Sequence, residues 1–154
     1  MAPSAKLITV EGIEGVGKST ALAYIHSLLD DHNIDCVLTR EPGGTALAES
    51  IRGLLLDKQQ EKISVHTELM LMFAARNQHL NLVINPALAS GKWVISDRYI
   101  DASYAYQAGG KGVKDEKIDI LKKWVQEDLR PDLTFLFGTG QPPLPFLTYV
   151  DFDR

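Results

Sequence analysis

The chain has 154 residues, 45% apolar and 23% charged, with a formal net charge of −4. That is the size and balance of one soluble domain with its own core, and the negative sign argues against a general affinity for nucleic acid or an anionic membrane. A lone cysteine, Cys36, excludes an internal disulfide and suits a reducing compartment; no apolar run reaches the length of a membrane span, residues 1–6 lack the apolar core of a signal peptide, and a cytoplasmic protein is the expectation.

Residues 7–10, Leu-Ile-Thr-Val, read as a short buried strand. It leads into Gly12-Ile13-Glu14-Gly15-Val16-Gly17-Lys18-Ser19 and then a helical segment over residues 18–31, with Leu22, Ile25, Leu28 and Leu29 on one stripe. Strand, glycine loop, helix is the order a phosphate-binding loop requires. Glycines let the backbone turn tightly enough to aim several N–H groups at one point. The helix N-terminus adds the positive end of its dipole there. Lys18 supplies a mobile cation for a phosphate, and the Ser19 hydroxyl can ligate magnesium. The bland alternative is a glycine loop with no ligand; the strand before it and the helix after it weigh against that.

Residues 36–39 form a second short strand. Arg40-Glu41-Pro42-Gly43-Gly44-Thr45 follows, a turn-rich loop at the strand's C-terminal end, where ligands sit in open α/β sheets. Leu47, Ile51, Leu54 and Leu55 mark an amphipathic helix. Glu49 and Arg52 lie off that stripe, at a spacing that can pair on the helix surface. Residues 57–63 are polar and read as a surface loop. Ser64 is an N-cap candidate for a long helix through Leu69, Met72, Phe73, Arg76 and Leu80. Pro86 either kinks that helix or restarts it, and Gly91 marks its end.

Residues 93–97 form a third strand that ends in Asp97, where a phosphate-loop enzyme holds its magnesium shell. Residues 115–128 read as a helix with Ile118, Leu121 and Val125 inward, and residues 133–137 as a fourth strand. The alternation predicts a three-layer α/β/α fold, a parallel sheet with helices on both faces, in a single domain over residues 1–154. After Phe137 the pattern stops. Residues 138–145 hold three of the seven prolines, which excludes a regular helix or a central strand, and 146–154 have no clear period. The expectation is a sheet cut short at its C-terminal end, with 138–154 as an anomalous tail.

Several segments in this order resemble the bacterial thymidylate kinases, P-loop nucleotide kinases that phosphorylate dTMP to dTDP with ATP. They are Gly12 to Ser19 with Glu14 inside, Thr39 to Thr45, Phe73-Ala74-Ala75-Arg76-Asn77-Gln78-His79, Asp97-Arg98-Tyr99, Ala105-Tyr106-Gln107 and Arg130-Pro131-Asp132-Leu133-Thr134. The likeness runs from about residue 6 to 137. It implies that Gly12, Ile13, Glu14, Gly15, Val16, Gly17, Lys18, Ser19 and Thr20 cradle ATP, with Ser19 and Asp97 on Mg2+. It implies that Glu14 approaches the deoxyribose, Arg98 bridges donor and acceptor phosphates, and Arg52 grips the dTMP phosphate. Arg76, Ser103 and Gln107 match positions that read the thymine edge, Glu41 joins the substrate site, and Phe73 is the candidate ring to stack on the base. Lys18, Arg98 and Glu14 are the catalytic candidates. A homodimer is the implied assembly.

Taken one at a time, these residues keep simpler readings. Arg76 could be a solvated helix residue, Phe73 core, Arg52 a partner of Glu49, Asp97 a strand-end cap and Glu41 a turn residue. Met70 and Met72 read as packing, and His66 and His79 receive no role. The chain also departs from the family pattern. Phe73 stands three residues before Arg76, with Met72 at the more usual fourth position; both spacings share a helix face. Gly15 stands where some relatives carry arginine, and no arginine-bearing lid follows Phe137. A transition-state arginine is worth about 10³–10⁵ in rate, so a nucleotide-binding remnant without turnover and another P-loop kinase or ATPase stay open as alternatives.

Overall fold

In β1 (Leu7–Gly12) successive side chains point to opposite faces, and nearly all are buried. Leu7 joins Leu69, Phe73, Val94 and Ile118 on one side. Ile8 and Val10 join Leu22, Leu29 and Ile95 on the other. A strand buried on both faces belongs inside a parallel sheet, and β1 lies between β3 (Trp93–Asp97) and β4 (Leu133–Phe137), with β2 (Cys36–Arg40) outside β3. These four are parallel. The register puts Leu7 beside Val94 and Ile8 beside Ile95, which sorts both pairs onto their faces. Thr9 and Thr134 are also in register, and their buried hydroxyls lie 2.8 Å apart, so each satisfies the other. Asp132 ties the start of β4 to β1: it accepts the Leu7 N–H at 2.8 Å and holds the Lys6 ammonium at 2.7 Å.

This is a computed structural model that describes residues 4–58, 61–138 and 148–150. Most of the expected tail, 139–147 and 151–154, lies outside the described residues. Thr148–Val150 forms a short strand, β5, antiparallel to β4. The expected parallel sheet is β1–β4, and β5 adds a short antiparallel strand beyond Phe137, where the sequence pattern stops. Its three residues show no period from which a strand could be read.

Helix α1 (Lys18–Asp31) covers one face of the sheet through Leu22 and Leu29. It ends where Asn33 turns left-handed, φ 55°, and the Ile34 N–H reaches the Leu29 carbonyl. Helix α2 (Ala46–Leu56) is capped by the Thr45 hydroxyl, which accepts from the Ala48 N–H at 3.1 Å. Its buried side is Ala48 and Ile51, packed on Ala75 of α3 (Val65–His79). Leu47 and Leu54 are exposed, so the apolar stripe is rotated from the expected one. Ser64 caps α3 as expected, accepting from the Thr67 N–H.

The chain does not break at Pro86. Helix α3 runs into a wider π turn at Leu80–Ile84 and then α4 (Asn85–Ala89). Proline lacks an N–H and its ring crowds the carbonyl four residues back. In the π turn the Asn85 N–H reaches five residues back to Leu80, which opens room for the ring. A short helix, α5 (Ile100–Ser103), continues into a second π turn at Tyr104–Gly109. Helix α6 (Asp115–Gln126) turns Ile118 inward and stops two residues before the expected boundary, where Glu127 has φ 51°. Helices α3 to α6 cover the face opposite α1, and α2 packs outside α3. The three-layer α/β/α expectation holds, and every strand of the parallel set ends at one rim.

Candidate active site

At that rim the loop after β1 enters α1 through Gly17, whose φ of 89° is left-handed. No side chain caps the helix, and its first turn carries no acidic residue. The first N–H groups are therefore open to an anion, on the positive end of the helix dipole. The Lys18 side chain curls back over the loop, donating to the Gly12 carbonyl at 2.9 Å and the Ile13 carbonyl at 2.6 Å. Gly15, Gly17, Lys18 and Ser19 line a polar cleft of about 300 Å³, with Asp97 on its wall. Asp97 Oδ1 is buried there with no hydrogen-bond partner among the described residues. Gly12, Ile13, Val16 and Thr20 are not on that wall, and Ile13 is half exposed to solvent.

A second cavity, of about 240 Å³, adjoins the first. Glu14, Glu41, Arg52 and Arg98 line both. The second adds Leu55, Met72, Tyr99 and Tyr106, and Gln107 closes one side. Arg52 does not pair with Glu49. Glu49 is held by Arg40, at 2.8 Å, and by the Gly44 N–H. Arg52 instead donates to the Pro42 carbonyl at 3.1 Å, which lays it along the loop after β2.

Arg98 has φ 72°, unusual for a residue with a side chain. Its backbone is fastened on three sides. Its N–H donates to Val10 at 2.9 Å. Its carbonyl accepts from the Ser96 hydroxyl at 2.8 Å. The next N–H, on Tyr99, donates to Glu11 Oε1 at 2.7 Å. The guanidinium then sits 5.3 Å from the centre of the Tyr106 ring, within cation–π range.

Beneath the second cavity lies a buried polar floor. Arg76 is 1% exposed and spends three N–H groups internally: on Glu41 at 2.6 Å, on the Tyr99 carbonyl at 2.9 Å and on the Ser103 hydroxyl at 3.2 Å. Glu41 also meets His79 Nδ1 at 3.2 Å, while His79 Nε2 contacts the Thr39 hydroxyl at 2.6 Å. A Cβ on Gly44 would stand 2.5 Å from the His79 ring, so only glycine lets the loop close over it. Glu11 and Asp101 bring further carboxylates near Arg76. Burial, and then the Asp101 charge, push the Glu11 carboxyl up to about 7.

Two expectations change. Arg76 and Ser103 are buried and bound to one another, and neither is among the residues lining the second cavity. Phe73 is buried in the core, 4.9 Å from the Arg76 guanidinium carbon, and Met72 takes the cavity wall. Gln107 does line the cavity, as do Arg52, Arg98 and Glu14.

The chain matches the thymidylate kinase profile over residues 10–141. The chain belongs to the thymidylate kinase family. It is 58% identical over 132 residues to the thymidylate kinase of Nitrosomonas europaea, and 56% identical over 134 residues to that of Pseudomonas putida. These alignments cover 86% and 87% of this chain and 61% and 64% of the relatives, so the chain spans about three-fifths of their length. A crystal structure of thymidylate kinase from Ehrlichia chaffeensis superposes with a TM-score of 0.80 at 41% identity, covering 87% of this chain and 76% of that one. The resemblance read from the sequence is thus borne out at the level of family and fold.

Within this thymidylate kinase fold, sequence reasoning missed Glu11, His79 and the cavity position of Met72. Two of them left a signal. Glu11 is a carboxylate in an otherwise apolar strand that feeds a glycine loop. His79 is three residues after Arg76, on the same helix face. Choosing Met72 over Phe73 needs the rotation of α3, which the core sets.

Proposed function

We propose that this chain forms the nucleotide-binding and catalytic core of a thymidylate kinase, passing the γ-phosphate of ATP to the 5′-phosphate of dTMP. The observation that carries the reading is the wall shared by the two cavities, built from Arg52, Arg98, Glu14 and Glu41. Phosphoryl transfer asks a protein to align two anions head to tail and to neutralise their charge. Two guanidinium groups at the junction suit that task, since their planar forks match phosphate oxygens.

The glycine cleft suits the triphosphate. Lys18 would exchange its two loop carbonyls for phosphate oxygens, and the open N–H groups of α1 would take others. The second cavity suits a nucleoside: Leu55 and Met72 offer apolar surface, the Tyr106 ring a flat one, and Gln107 a polar edge. Glu14, on both walls, is placed for the sugar end.

Among the described residues no cluster of three carboxylate, histidine or cysteine side chains could enclose a metal ion. Magnesium needs none, because it takes most ligands from phosphates and water. Asp97 Oδ1, buried on the cleft wall with Ser19 and without a partner among the described residues, fits such an ion. Bound there, it would neutralise phosphate charge. The reading extends to a homodimer in the cytoplasm, by family resemblance; a monomeric mass in sedimentation equilibrium would remove the dimer.

The test is a coupled kinase assay run beside calorimetric titration, with dTMP, dUMP, dCMP and dGMP. The expected outcome is a clear preference for dTMP in both. Equal responses to all four would sink the substrate assignment, and dTMP binding without product would leave a binding core only.

A further inference from the structure

The structure assigns Glu68 a specificity role: held by Lys111, it turns the Gln107 amide so that the second cavity presents a hydrogen-bond acceptor to the base. The inference rests on the reading that this cavity holds a pyrimidine nucleotide.

Glu68 lies in the first turn of α3 and Lys111 follows the second π turn. The Lys111 ammonium pairs with Glu68 Oε2, and Gln107 Nε2 donates to Glu68 Oε1 at 3.0 Å. All three line the cavity. Burial pushes the Glu68 carboxyl up, but the Lys111 and Gln107 hydrogen bonds outweigh it and hold it below the usual carboxylate range. An ionised carboxylate only accepts. Gln107 must therefore give it the NH₂ end, and the chemistry, not a choice between two look-alike atoms, fixes the amide. Its carbonyl end is then committed. Gln107 is 3% exposed, and Oε1 has no partner among the described residues.

A buried acceptor without a donor is unfavourable until a ligand supplies one. Thymine and uracil carry an N–H at ring position 3. Cytosine carries a lone pair there, which would set two acceptors against each other. The Glu68–Lys111 pair therefore favours bases with a ring N–H over cytosine and is blind to the thymine methyl. If Glu68 merely braced α3 against the second π turn, its loss would weaken every nucleotide alike.

Calorimetric titration of the full chain with dTMP, dUMP and dCMP separates these. The unmodified chain should bind dTMP and dUMP at least about ten-fold more tightly than dCMP. Glu68→Met should bring dCMP to within about three-fold of dUMP while leaving the dTMP to dUMP ratio unchanged. Glu68→Gln, which can still accept from Gln107, should keep most of the discrimination. Lys111→Met, at a half-exposed site, should shift the ratio the same way by a smaller factor. An unchanged dUMP to dCMP ratio, or an equal loss for all three nucleotides in Glu68→Met, overturns the inference. Should Glu68→Met not fold, an unchanged ratio in Lys111→Met does so. Absence of pyrimidine binding by the unmodified chain is a different result: it removes the function proposed above, and the inference with it.

Discussion

The two halves of the site are built on opposite plans. The phosphate cradle is one contiguous stretch, residues 12–19, made of backbone amides and a single lysine. Gly15, Gly17, Lys18 and Ser19 line the open cleft, and the buried Lys18 ammonium fills in with the loop's own carbonyls. The floor under the second cavity draws Glu11, Glu41, Arg76, His79 and Ser103 from separate parts of the chain. All five are buried; Glu41, Arg76, His79 and Ser103 are bonded to one another, and Glu11 holds the Tyr99 N–H. Groups meant for a ligand are left loosely engaged, whereas groups meant to shape a wall are closed among themselves. The cradle should therefore matter more for binding than for folding, and the floor, apart from Glu41 where it lines both cavities, more for folding than for binding.

The most severe test of that contrast is Arg76→Met. It leaves Glu41 buried without its cation, a defect worth about 3–5 kcal/mol. Urea denaturation should record that loss; a change under 1 kcal/mol, by the same scale, would mean the floor is not a unit. Next comes Glu11. Its folded carboxyl titrates near 7, against an ordinary value of 4.5. Between those values the folded chain holds a proton that the unfolded chain has lost. Stability is thus full below about 4.5, declines as pH rises towards 7, and is level above. The total is about 3 kcal/mol. Glu11→Gln should flatten that decline; denaturation midpoints that track the unmodified chain across the window would discard the buried-acid account. The mildest change in stability is expected of Lys18→Met. It should weaken ATP binding about 10–100-fold, the worth of charge-assisted hydrogen bonds, and shift unfolding by about 1–2 kcal/mol, because loss of the buried ammonium leaves two loop carbonyls without a donor. A large stability loss there would erase the contrast.

The same contrast explains what could be read in advance. The cradle is local: its glycines, its lysine and the flanking strand and helix lie within one short window, so spacing alone exposes it. Helix α1, the Ser64 cap and the four parallel strands were equally local. The floor is not. Arg76 finds Glu41 thirty-five residues away and Ser103 twenty-seven away, and no periodicity announces either partner. Adjacent residues were a second blind spot. Met72 and Phe73 differ by one helical step, and the burial of Phe73 in the core cluster that also holds Leu69 and Leu80 decides which faces the cavity. The π turns were a third. A wider turn shifts the helical phase, so residues 100–109 show no clean 3.6-residue stripe.

Arg98 carries one more implication. Its left-handed backbone, φ 72°, costs a side-chain-bearing residue on the order of 1 kcal/mol that glycine would escape. Glycine at this position would relax the turn and remove the guanidinium from the junction of the two cavities. A laboratory selection for heat resistance alone and one for turnover alone would pull this codon in opposite directions.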